Sequence, residues 1–143
     1  MSLGNTFEND LMKLIFNGTA IANLADNAGA SPLTNLYISL HTANPDEAGS
    51  QTTNEANYTG YARKAITRDS GGWTVTNNQA VNAATVSFDP CTAGSSTVTY
   101  FAIGTALSGT GKILISGALS ASLAIGAGTT PQFAAGALTA TAD

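Results

Sequence analysis

LYISLHTANPDEAGSQTTNEANYTGYARKAITR, from Leu36 to Arg68, is the stretch whose reading decides the fold. Leu36, Ile38 and Leu40 alternate with Tyr37, Ser39 and His41, the period-two pattern of a half-buried strand. Asn44-Pro45-Asp46 then stops the strand with a turn. The residues that follow are too polar to bury as a run, and they carry Asp46, Glu47 and Glu55 before the first basic residue, Arg63. The chain returns to strand from Tyr61 to Ile66. A long acidic loop held between two strands is a presentation device more often than a catalytic one.

Working outward, further strands are expected at 73–76, 85–88, 97–104, 112–116, 119–125 and 133–141, beside those at 36–42 and 61–68. Asn77-Asn78 reads as a tight hairpin turn, and Gly109-Thr110-Gly111 and Gly126-Ala127-Gly128 as similar markers. About eight short antiparallel strands at this spacing predict an all-β sandwich or barrel. No strand-helix alternation points to a parallel sheet. In 97–104 apolar groups fall on both faces, so this strand is central in its sheet or covered by a partner.

The start of the chain is different. Phe7, Leu11, Leu14 and Ile15 recur at helical spacing. Asn5 can cap with Glu8 three residues on, and Asn17-Gly18 supplies the stop. This gives a division into a helical arm at 1–18 and a β-sandwich domain at 19–143. A helix of about ten residues is not stable alone. It must dock, either over one end of its own sheet or on a neighbouring subunit. Residues 19–26 read equally as a short strand or a helical turn, and 27–32 as a turn-rich link.

Only 10% of the 143 residues are charged, against about 25% in ordinary domains. Alanine, glycine, serine, threonine and asparagine take their place, giving a neutral, polar exterior with little repulsion against association. The net charge is −4, with five basic residues. Arg63 and Lys64 point to opposite faces of one strand. There is no Lys/Arg cluster to neutralise phosphates, so no nucleic-acid partner is expected. No apolar run approaches the roughly 20 residues of a membrane span. MSLGNTFEND lacks the features of a secretory signal, so synthesis and use in the cytoplasm are expected. The single Cys91 cannot form an internal disulfide and reads as a small filler.

The chemistry of catalysis is sparse. His41 reads as an outward polar residue at a strand end rather than a general base. Asp46, Glu47 and Glu55 could be taken for a glycosidase pair or a calcium site. NPDEAGSQTTNE does not match calcium-loop spacing, however, and solvated loop charges are the expectation. Arg63 is placed to pin the loop through Glu55 or Glu47. Tyr58, Tyr61 and Trp73 suit either a binding surface or a small core. No catalytic residue, metal ligand or cofactor site is expected, and no enzyme activity.

LHTANPDEAG at 40–49, YTGYAR at 58–63 and GGWTV at 71–75, between a SLGNTFEND start and a FAAGALT end, carry a resemblance. In their order and spacing they resemble a family of small bacteriophage virion proteins often labelled tail-fibre proteins. The chain is similar to the capsid cement (decoration) protein of a Bordetella short-tailed phage. The resemblance implies a jelly-roll-like antiparallel β-sandwich on the outer surface of the capsid head, made in the host cytoplasm. It implies the major capsid protein as partner, with adjacent subunits bridged, and a homodimer or other homo-oligomer. Under that reading the candidate contacts are Phe7 and Leu11 in the 2–16 segment, and Asp46, Glu47, Glu55 and Tyr58 in the 46–58 loop. The alternative is a tail or head fibre component that contacts the host receptor, although the chain has neither heptads nor repeats. A glycan-binding β-sandwich using Trp73 is a third possibility.

Overall fold

A computed structural model describes residues 5–21 and 32–142. The elements, in order, are α1 (Asn5–Asn17), β1 (Asn35–His41), β2 (Lys64–Thr67), β3 (Trp73–Thr76), β4 (Gln79–Asn82), β5 (Val86–Ser87), β6 (Ser96–Gly104), β7 (Ile113–Ile125), β8 (Gln132–Phe133) and β9 (Thr139–Thr141). The fold is all-β with one short N-terminal helix. Its sheets run β2-β1-β6-β7, β3-β4-β9 and β5-β8. Of the ambiguous 19–26 stretch, residues 22–26 lie outside the described residues, as do residues 27–31 of the link.

The chain forms two compact units. One comprises Met1–Asn35, Ile66–Val86 and Phe133–Asp143, and the other Leu36–Ala65 and Ser87–Gln132. In the first unit, β4 pairs antiparallel with both β3 and β9. The β3–β4 hairpin closes on Asn77, whose φ of 54° is the left-handed conformation that asparagine tolerates. β4 was not anticipated as a strand, because in QAVN only small Ala80 is an apolar residue that is fully buried.

Helix α1 lies on β3 and β4. Its deepest side chains are Met12 and Phe16, one turn apart. Phe7, Leu11, Leu14 and Ile15 flank them half-buried. The Phe16 ring meets Trp73 edge-on with centroids 4.7 Å apart. The helix thus covers its own sheet, the first of the two expected dockings. Its end is tied down by Arg68, whose Nε and Nη2 donate to the carbonyls of Ile15 and Leu14 at 2.7 and 2.5 Å. A cation at this end also suits the helix dipole. Asn82 uses its buried amide fully: Nδ2 donates to Ala84 and Ala134, and Oδ1 accepts from the Leu138 N–H. The Trp73 indole N–H and the Asn17 Oδ1 have no hydrogen-bond partner among the described residues. Each such group costs roughly 1–3 kcal/mol when buried.

In the second unit β6 sits between β1 and β7. This accounts for its apolar groups on both faces. Ile38 faces Ile103, and Leu40 faces Phe101, which in turn faces Gly117. The strands expected at 112–116 and 119–125 are one strand, β7. Its ladder with β6 runs through Tyr100↔Ala118 and resumes at Val98↔Leu123, leaving residues 119–122 as a bulge. The reverse holds for 133–141, which is split into β8 and β9 by a turn with Gly136 at φ 77°.

Candidate interaction surface

The loop between β1 and β2 is anchored from inside. His41 is fully buried, against the expectation of an outward residue. Its Nδ1 donates to the Thr53 carbonyl at 2.7 Å, which leaves Nε2 to accept from the Ser39 hydroxyl at 2.8 Å. Burial holds its pKa below the ordinary histidine value, against the raising effect of the Thr53 bond and of Glu55. The arrangement is a neutral histidine with a serine donor, as in a nucleophilic pair. Ser39 and His41 are both 0% exposed, however, so no substrate can reach them.

Glu55 is not a solvated charge. Its Oε1 accepts from Arg63 Nε and its Oε2 from Arg63 Nη2, both at 2.7 Å, and Oε1 also accepts the Tyr61 hydroxyl at 2.8 Å. Tyr61 Oη meanwhile accepts the Leu40 N–H. The remaining Arg63 donors hold the Ala106 and Gly109 carbonyls. The Glu55 hydrogen bond raises the Arg63 pKa, and burial raises that of Tyr61. Arg63 therefore pins the loop, as expected, and chooses Glu55 over Glu47.

Gln51 is a second anchor, 0% exposed. Its Oε1 accepts the Ala106 N–H at 2.9 Å, and its backbone N–H donates to Gly111. A Cβ at Gly104 would lie 2.2 Å from the Gln51 side chain, and one at Gly111 1.9 Å away. Only glycine admits the amide there. Tyr58 is also turned inward, 3% exposed, and donates to the Asp89 carbonyl. Burial, then the Asp89 charge, pushes its pKa up to about 12.

Of the six candidate contacts, then, Glu55 and Tyr58 are used internally, and Phe7 and Leu11 are half-buried on α1. Asp46 and Glu47 remain exposed. They wall a groove of about 560 Å³ with Asn44, whose floor is Tyr100, Ser116, Gly117 and Ala118. The groove continues past the same carboxylates along Ile113, Leu114, Ile115 and Ser116. Asp46 holds φ 59°, with its N–H on Asn44 Oδ1 at 3.0 Å. The groove therefore follows β7, the outer strand of its sheet. Sequence reasoning found the acidic wall but not the strand beneath it. The missed signal was an uncharged run of 13 residues, ILISGALSASLAI.

These features define a β-rich module in which His41, Arg63 and Cys91 are enclosed and few charges lie outside. The chain matches, over residues 2–141, the family described as podophage GP4 fiber I protein gp80. It belongs to that family, and its role is that of a phage virion structural protein. A comparison with curated proteins found no match. Among the described residues no helix is long and apolar enough to cross a membrane. Trp73, the residue on which a glycan surface would rest, is fully buried under α1.

Proposed function

We propose that this protein is a capsid decoration protein that binds the outer surface of the assembled head, bridges major capsid subunits and transforms no substrate. The observation that carries the reading is the inward placement of Ser39, His41, Glu55, Arg63 and Cys91. What is left outside is mostly amide, hydroxyl and small apolar groups. Such a surface adheres to other polypeptides without charge repulsion. A clamp on two subunits binds the second at high effective concentration. Binding the assembled lattice alone also stabilises it by mass action.

The family's description as a fiber protein favours a second reading, a fibre component that meets the host receptor. Cryo-microscopy of intact virions separates the two. Density for this chain over the icosahedral head supports decoration, and density confined to tail appendages replaces it with the fibre reading. Purified protein should also bind shells that lack it.

A further inference from the structure

The turn at 105–111, TALSGTG, leads from β6 towards β7 and carries neither a charge nor an aromatic ring. Leu107 within it is 57% exposed, the most of any large apolar residue described. A singly exposed leucine is ordinary on a protein surface. The backbone beneath this one is not. Arg63 Nη1 and Nη2 donate to the Ala106 and Gly109 carbonyls at 3.0 and 2.9 Å, on either side of Leu107. Gln51 Oε1 accepts the Ala106 N–H, and the Gly111 N–H closes on the Gly109 carbonyl. The base of the loop is clasped by the Thr105 N–H on the Lys112 carbonyl and the Lys112 N–H on the Thr105 hydroxyl. Gly109 supplies the left-handed turn at φ 70°. An apolar pair of similar volume in place of Glu55 and Arg63 would serve stability about as well. A planar guanidinium instead holds two carbonyls while locked to a carboxylate. What the enclosed pair adds is one defined loop shape, and the side chain that this shape lifts into solvent is Leu107.

We propose that Leu107 is a preformed anchor that seats in an apolar pocket of a different virion protein. A loop held in its bound shape beforehand spares the ordering cost of association. The residues around Leu107 select the class of partner. Insertion into a lipid surface calls for Trp or Phe with basic neighbours, which 105–111 lacks. It also lacks the planar amide, carboxylate and guanidinium groups that grip sugar hydroxyls. An apolar socket in a folded polypeptide remains. The grooves along β7 are walled by Asp46 and Glu47, so they offer no such socket on a second copy. The inference rests on the virion structural role and holds for a head or a tail position alike.

Phage grown with wild type and a variant supplied together, the two chains distinguished by mass, report the variant's share in purified virions against its share in the lysate. Leu107→Asp should be depleted about tenfold, while its circular dichroism spectrum and melt stay those of wild type. Leu107→Ile should enter nearly at par. Gly109→Ala meets nothing within 4 Å but strains the positive φ, and it should be depleted although Leu107 is intact. Entry of Leu107→Asp in proportion to its supply would overturn the proposal. So would a lowered melt, which would mean that the side chain packs inward, or depletion traced by sedimentation to lost self-association. Depletion from tail appendages rather than heads would keep the anchor and remove the decoration reading alone.

Discussion

The β1–β2 loop and strand β7 invert each other. The loop is polar in sequence, yet His41, Gln51 and Arg63 within or beside it are almost completely buried. β7 is apolar in sequence, yet most of it is exposed and Leu123 remains 37% accessible. Polarity alone therefore misjudges both regions. A polar side chain can be buried where every donor and acceptor meets a partner. An apolar one stays outside when its strand is the last in the sheet.

The sharpest way to break this comparison is to unpair the loop's buried charge. Arg63→Ala leaves Glu55 without its cation and the Ala106 and Gly109 carbonyls without donors. It should lower stability by about 3–5 kcal/mol, the usual cost of breaking a buried pair from one side. A urea melt within about 1 kcal/mol of wild type would show that the loop is not held from inside. Gln51→Ala strands the Ala106 N–H and empties the space between Gly104 and Gly111. A loss of about 1–3 kcal/mol is expected in the same measurement.

His41 gives a smaller effect with a definite sign. Its folded-state pKa lies below the ordinary 6.5, so the unfolded chain binds its proton first as pH falls. Stability should be intact above pH 6.5 and should decline below it, as protonation breaks the bond from Ser39. In His41→Asn that part of the pH dependence should vanish in melts between about pH 5 and 8. A wild-type profile flat across the interval would mean that His41 is not held neutral. The smallest expected change is at the exposed edge. Leu123→Ser should alter the thermal stability of the monomer by no more than about 0.5 kcal/mol. A large loss there would mean that β7 is covered rather than free.

Much of the fold was legible because strand signals are local. The strand at Leu36–His41, the turn at Asn77-Asn78 and the two apolar faces of β6 all survive in the structure, although Ser39 and His41 are buried where the alternation placed them outside. The helix was legible by its spacing, although its deepest residues are Met12 and Phe16 rather than those on the flanking stripe. β4 escaped notice because Ala80 offers little apolar signal. The two candidate strands at the C-terminal side of β6 merged because a bulge keeps its residues extended. Of the contact residues, Asp46 and Glu47 were legible as exposed acids. Glu55 looks like them in sequence, and Tyr58 sits in the same polar loop; their inward placement depends on Arg63 and Asp89, eight and 31 residues further on.

The sequence by itself determined an all-β class, a helix at the start, and a polar exterior that carries few charges. Periodicity and turn chemistry act over a few neighbouring residues and are written directly in the chain. Tertiary structure decided which polar groups lie inside and which strand lies last in its sheet. Both depend on pairings between residues far apart in the chain, and no local pattern records which partner arrives.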